Sequence, residues 1–207
     1  MPDLMHEIAV GLHKGKVICG VDEAGRGPLA GSVVATAAIL PPGGLPSNIS
    51  ERIRDSKKLS AAQREQLYAP LTTLCCYAVA EASVAEINQM NILWASMLAM
   101  QRAVAALARP PDFALIDGNR CPQLPCPAQA IVKGDDKSLS IAVASIIAKV
   151  TRDRMMAALA TQFPFYGWER NAGYGTAQHL AALRTHGATP WHRDSFAPVS
   201  EILKSKL

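Results

Sequence analysis

The chain has no paired Cys-x-x-C knuckles, no His-Glu-x-x-His, no Walker-type phosphate loop and no Gly-x-Ser-x-Gly elbow. These absences remove the common zinc sites, P-loop nucleotide binding and the α/β-hydrolase nucleophile from consideration. The five cysteines, Cys19, Cys75, Cys76, Cys121 and Cys126, form no even framework. They read as reduced thiols packed as small apolar groups. A basic region followed by an apolar signal core is missing from the N-terminus. The most apolar helical stretch, Ile92 to Ala108, is interrupted by Gln101 and Arg102, which argues against a membrane span. A cytoplasmic protein is expected. Internal repeats and low-complexity tracts are also missing.

What is present is globular: 207 residues, 49% hydrophobic and 18% charged, enough for one core. A net charge of +4 permits a polyanionic partner without demanding one. The basic residues cluster at Arg52, Arg54, Lys57 and Lys58, at Lys133 and Lys137, at Lys149, Arg152 and Arg154, and at Arg184, His192 and Arg193.

Val17, Ile18 and Val21, then Val33, Val34 and Ala35, read as two strands flanking Asp22-Glu23-Ala24-Gly25-Arg26-Gly27-Pro28. Neighbouring side chains on a strand face opposite ways, so both acids serve one site only if the strand ends there or one acts through its carbonyl. Gly25 and Gly27 favour an ending strand. Ser60 is placed to cap a helix through Arg64 and Tyr68. A strand from Cys75 to Ala82 precedes a short helical turn, Ser83 to Asn88. Leu93, Met97, Met100, Val104 and Leu107 then share one helical face, with Trp94 read as core packing. Phe113 to Ile116 is a buried strand delivering Asp117. Ala128 to Val132 is another, leading to Lys133-Gly134-Asp135-Asp136. A helix is expected from Leu139 to about Thr161, with Ala142, Ala144 and Ala148 allowing close packing and Ser145, Lys149 and Arg152 forming a polar edge. Thr176 caps a further helix. The class is α/β, a mixed sheet flanked by helices, with residues 1–162 as core and 163–207 as a small helical appendage.

Three separate apolar segments thus end in or adjoin carboxylates: Asp22 with Glu23, Asp117, and Asp135 or Asp136. Hard oxygen donors without a cysteine or histidine pair suit Mg²⁺ or Mn²⁺. Two such ions about 3.5–4 Å apart can clamp the attacking water and the leaving oxygen of a phosphodiester.

The wording around these acids resembles bacterial ribonuclease HII, the type 2 ribonuclease H. The likeness runs through Gly20-Val21-Asp22-Glu23, Asp55-Ser56-Lys57-Lys58-Leu59-Ser60, Asn91-Ile92-Leu93, Leu115-Ile116-Asp117-Gly118-Asn119 and Lys133-Gly134-Asp135. It continues through Ala144-Ser145-Ile146, Lys149-Val150-Thr151-Arg152-Asp153 and His186-Gly187-Ala188-Thr189, and so spans Cys19 to about Phe196. The resemblance implies a ribonuclease H-like core in which Asp22, Glu23, Asp117 and Asp135 hold two Mg²⁺ or Mn²⁺ ions. It implies cleavage of the RNA strand of RNA–DNA hybrids and incision 5′ of single ribonucleotides in duplex DNA, leaving 3′-hydroxyl and 5′-phosphate ends. It further implies that the backbone of Gly25, Arg26 and Gly27 reads the 2′-OH, that Tyr174 packs on the following sugar, and that Lys57 and Lys58 contact phosphate.

Asp136 departs from the pattern, because many relatives carry serine after the matching Lys-Gly-Asp. Asp135 is the expected ligand, and Asp136 the one left to the amides and dipole at a helix start. About a dozen and a half residues precede the first strand, too few for the extra N-terminal domain of ribonuclease HIII. A monomer is expected, and Ser200 to Leu207 show no convincing sliding-clamp peptide. Two other readings keep the acids or the charge but not the chemistry. A DNA-cutting nuclease of the same superfold has no reason to test for a 2′-OH, and a non-catalytic nucleic-acid-binding module has no use for four carboxylates that repel phosphate.

Overall fold

A five-stranded sheet carries the site in the computed structural model, which describes residues 1–204. Its strands are β1 (Ile18–Ala24), β2 (Val33–Ile39), β3 (Cys76–Ala82), β4 (Phe113–Asp117) and β5 (Ala128–Ile131), in the order β3-β2-β1-β4-β5. β2 is antiparallel to β1 and β3, whereas β4 lies parallel to β1 and β5 parallel to β4. The helices are α1 (Met5–Ala9), α2 (Ser47–Ser50), α3 (Ala61–Leu74), α4 (Val84–Ala105), α5 (Leu139–Gln162), α6 (Trp168–Asn171), α7 (Ala177–His186) and α8 (Ala197–Lys204). Among the described residues no helix is long and apolar enough to cross a membrane. The mixed α/β sheet expected from the sequence is therefore present. The last residues of the stretch scanned for a clamp peptide, 205–207, lie outside the described residues.

Both faces of the sheet are covered, which is why β2 is buried along its whole length. On one face Cys19, Val21, Val33, Ala35 and Ala37 meet Ala99, Met100, Ala103 and Val104 of α4. On the other, α5 brings Ala142, Val143, Ile146 and Ile147 against Ala38, with α3 packed outside through Leu67 and Leu71. Gly20 is what lets α5 lie directly on β1, because a Cβ there would overlap the backbone of Ser140 and Ile141. Helix starts follow the sequence signals. Ser60 and Ser83 each form a capping box, and Ser138 and Thr176 accept the first free amides of α5 and α7.

Two expectations need correction. Trp94 is 56% exposed and lies outside the core, although the face of Met100, Val104 and Leu107 is buried as read. Within the helical segment that follows the break at Asn91 (φ 68°), Trp94 stands in line with Gln101 and the exposed Ala105, on the side away from Met100 and Val104. Likewise Ser145 and Arg152 form no exposed polar edge on α5, being 3% and 2% exposed. Ser145 Oγ meets Ser56 Oγ at 2.7 Å, and Arg152 is spent on backbone carbonyls.

The chain beyond α5 packs as Tyr166, Trp168, Leu183 and Val199 against Leu29, Ala30, Met156 and Ala160. It is thereby fastened to the loop between β1 and β2. The close contact at Gly20 yields a test. Gly20→Ala forces α5 off β1 and is expected to cost about 1–3 kcal/mol or more, the usual range for overpacking. Urea unfolding checks it, and a midpoint equal to wild type would mean that α5 does not rest on that glycine.

Candidate metal centre

β1 and β4 run parallel with Val21 opposite Ile116, which sets Asp22 beside Asp117. Asp135 arrives from the short 3₁₀ turn Gly134–Asp136 that follows β5. That turn is reached through Lys133 in the left-handed region, φ 55°, and is tied down by Gly134 N–H donating to Asp117 Oδ1 at 2.7 Å. The result is a group in which Asp22, Asp117 and Asp135 each offer a carboxylate oxygen within 4.8 Å of the others. Asp22 and Asp135 are each 4% exposed.

Glu23 stands apart from that group. β1 continues to Ala24, so alternation sends Glu23 to the face opposite Asp22, where Arg26 Nη1 meets its Oε1 at 3.3 Å. The strand ends at Ala24, one residue beyond Glu23, close to the ending that Gly25 and Gly27 favoured. Glu23 nonetheless belongs to the same electrostatic neighbourhood. Its pKa is pushed up to about 7 by burial, against the pull of Arg26 and with the help of Asp117. Its Oε2 is buried without a hydrogen-bond partner among the described residues.

Burial comes first in raising Asp22 as well, followed by the charges of Glu23 and Asp117. Asp135 rises to about 6 through burial, Asp117 and Asp55, with Lys57 opposing. Acids pushed up by burial and by one another fit a site that awaits positive charge. The buried, unpartnered Oε2 of Glu23 and the lack of soft donors match a hard divalent cation.

The loop before α3 leans on this centre. Lys57 Nζ lies 3.6 Å from Asp135 Oδ2, and Lys58 Nζ is 2.6 Å from Asp136 Oδ1. Asp136 thus points away from the three-acid group and toward a lysine. The helix amides expected as its partner are not used. Lys58 lowers its pKa.

Across the centre lies the turn of Gly25, Arg26 and Gly27. Arg26 and Gly27 are exposed, and Tyr174 Cε1 sits 3.4 Å from where a Cβ on Gly27 would stand. Tyr174 itself is 48% exposed, so its ring is available beside the turn. The residues singled out at opposite ends of the chain therefore share one surface.

Some of the supposed basic surface is internal. Arg152, His192 and Arg193 are buried, so that part of the charge pattern reports packing. His192 is pushed down to about 4, by burial and then by the adjacent His179, whose Nε2 lies 3.0 Å away. His179 Nε2 also accepts from Trp168 Nε1, and His192 Nδ1 accepts from the Thr189 N–H. These partners put the proton of His179 on Nδ1, facing the Tyr174 carbonyl, and that of His192 on Nε2. Nothing in local sequence distinguishes such buried bases from a solvated patch. Ser145, expected on a polar edge, is likewise buried, with its Oγ 2.7 Å from Ser56 Oγ.

The acid cluster predicts a pH dependence. Folded-state pKa values above the unfolded ones give stability that is present at low pH and lost as pH rises through the folded values, here about 6 for Asp135 and about 7 for Glu23. In chelator, the melting temperature is expected to fall between about pH 6.5 and 7.5 and then level off, and Mn²⁺ should remove most of that fall by replacing the protons. The depressed His192 acts with the opposite sign only below about pH 6.5, outside this window. A melting temperature in chelator that stays flat across the window contradicts the raised pKa values.

With the geometry in view, comparison with known proteins is decisive. The sequence model of ribonuclease HII matches residues 19–199. A ribonuclease HII of Rhodospirillum rubrum is 60% identical over 98% of this chain and 92% of its own length. The crystal structure of the ribonuclease H2 from Pyrococcus horikoshii superposes with a TM-score of 0.76 at 27% identity, covering 91% of this chain and 97% of that one. A ribonuclease HIII, Bst-RNase HIII crystallised with Mn²⁺, shares the fold with a TM-score of 0.76 at 18% identity, over 95% of this chain and 73% of its own. The chain belongs to the ribonuclease HII family, the type 2 ribonucleases H that hydrolyse the RNA of RNA–DNA hybrids.

Proposed function

We propose that this enzyme also incises duplex DNA on the 5′ side of a single embedded ribonucleotide, using two divalent cations, Mg²⁺ or Mn²⁺. The observation that carries the reading is the juxtaposition of the three-acid group with the exposed Gly25–Gly27 turn and Tyr174. In this reading the turn and Tyr174 would read the ribose beside a phosphodiester held at the acids.

Asp22, Asp117 and Asp135 would hold the cations, with Glu23 as the fourth ligand, since its buried Oε2 has no partner and it interacts electrostatically with Asp22 and Asp117. When bound, the ions supply a water of lowered pKa and charge stabilisation for the departing 3′ oxygen. The family is metal-dependent, and the ribonuclease HIII of the same fold was crystallised with Mn²⁺. The backbone N–H groups of the turn would donate to the 2′-hydroxyl oxygen, the mark of RNA, while Tyr174 would stack on the next sugar and reject a displaced register. Lys57 and Lys58 would trade their present carboxylate partners for phosphate oxygens when the cations take over the acids. In this reading residues 1–162 form the catalytic core, and 163–207 are the arm that presents Tyr174.

The direct experiment is cleavage of a DNA duplex carrying one ribonucleotide, with and without Mg²⁺. A nick 5′ of the ribonucleotide, with 3′-hydroxyl and 5′-phosphate ends, is the expected product. Equal cutting of the all-DNA control would remove the 2′-OH from the account. Asp22→Asn, Glu23→Gln and Asp117→Asn should each cost several orders of magnitude in rate with the fold intact. Near-normal turnover at saturating metal would remove that residue from the site.

Asp135 and Asp136 separate cleanly. Asp135→Asn should abolish most activity, whereas Asp136→Asn should stay within about tenfold, a barrier change of roughly 1.4 kcal/mol. The reverse order across a Mg²⁺ and Mn²⁺ titration would exchange their roles.

A further inference from the structure

Two guanidinium groups lie wholly inside the protein behind the Gly25–Gly27 turn. Arg193 is 0% and Arg152 2% exposed, and neither forms an ion pair among the described residues. A buried cation left without a carboxylate is costly unless all its donors are satisfied. Here the backbone satisfies them. Arg193 Nε and Nη2 donate to the Gly31 carbonyl, Nη1 to those of Arg26 and Pro28, and Nη2 to that of Gly25, at 2.6–3.0 Å. That is five bonds for the five N–H groups of one guanidinium, all to a single turn. Arg152 serves the flanks, donating to the carbonyls of Ala30, Ser32 and Ala172.

The consequence follows from peptide geometry. In a trans peptide the C=O and the following N–H point in opposite directions. Drawing the carbonyls of Gly25 and Arg26 inward onto Arg193 therefore turns the N–H groups of Arg26 and Gly27 outward. Neither of those N–H groups finds an acceptor among the described residues, and both residues are exposed. A guanidinium bonded to each carbonyl also polarises the peptide, making its N–H a stronger donor. Gly25 is needed for the approach. Its φ is +99°, and a Cβ there would overlap the Arg152 side chain.

The same two arginines reach the segment that carries Tyr174. Arg152 holds the Ala172 carbonyl, Leu29 N–H donates to the Gly173 carbonyl, and Arg193 N–H donates to the Leu29 carbonyl. The Arg193 guanidinium also lies over the Phe196 ring, 5.1 Å from its centroid. Turn and tyrosine are thus set by one internal brace.

We propose that Arg152 and Arg193 are positioning residues for ribose recognition, fixing the Gly25–Gly27 turn with its N–H groups aimed outward and locking it in register with Tyr174. This rests on the reading that the turn recognises the 2′-OH. Lysine cannot replace the fork, because a single ammonium neither spans these carbonyls nor stacks flat on Phe196.

The test uses wild type, Arg193→Lys, Arg193→Gln and Arg152→Lys at a temperature where circular dichroism shows each folded. The lysine variants keep the charge and remain informative if Arg193→Gln fails to fold. Two quantities are measured: the backbone amide resonances of Arg26 and Gly27 in the free protein, and affinity with Ca²⁺ in place of Mg²⁺ for a duplex with one ribonucleotide and for its all-DNA counterpart. Those two resonances should move in the variants. Wild type should prefer the ribonucleotide duplex, and the variants should lose about tenfold of that preference, the scale of a charged hydrogen bond, with affinity for all-DNA within about twofold. A purely structural brace would lower both affinities together and leave the ratio alone, which overturns the proposal. Unmoved resonances of Arg26 and Gly27 overturn it as well. A wild type without preference sinks the 2′-OH reading of the turn itself and this assignment with it, and is told apart because the failure appears before any substitution.

Discussion

Three carboxylates held within 4.8 Å of one another repel, and the rest of the fold is arranged to keep them there. Two come from the ends of adjacent parallel strands, where the main-chain ladder fixes their spacing. The third is pinned by the amide of Gly134 on Asp117 and by α5, which starts immediately after it. Helices on both faces make the strand ends rigid and dry, and the same dryness raises the pKa of Asp22 and Asp135. A site built this way is under electrostatic load until cations arrive. The ammonium of Lys57, 3.6 Å from Asp135, relieves part of it in the free protein.

The opposite sign is handled by the opposite device. Arg152 and Arg193 are buried positive charges satisfied by neutral carbonyls, and this directs donors outward next to a cluster of acceptors. Acids that gather cations and a turn that offers amides therefore stand side by side, suited to the phosphate and the ribose of one nucleotide. The ribonuclease HII family supplies the reaction.

Much of this was legible in the chain. Alternating and continuous apolar runs located all five strands, and Ser60, Ser83, Ser138 and Thr176 stand where helices begin. The acids were visible because each follows or adjoins a buried strand. Their convergence was not, since it depends on the parallel pairing of β1 with β4 across nearly a hundred intervening residues. Trp94 is exposed because it lies one position off the buried stripe of Met100 and Val104, in line with Gln101 and Ala105, and its size alone does not carry it into the core. Arg152, His192 and Arg193 looked like surface charge because local sequence does not reveal that distant carbonyls will satisfy them. Composition reports how many charges there are, and only tertiary contacts decide which of them face water.

The central claim is that divalent cations held by these acids touch the phosphate being cleaved. Its most direct test replaces one non-bridging oxygen of the scissile phosphate with sulfur in a ribonucleotide-containing duplex. Mg²⁺ avoids sulfur, whereas the softer Mn²⁺ tolerates it. The account predicts that one sulfur diastereomer is cut poorly with Mg²⁺ and regains most of its rate with Mn²⁺, while the unmodified duplex shows no comparable gain. Equal loss with both metals, or no loss with either, would contradict a cation bound to that oxygen at Asp22, Asp117 and Asp135.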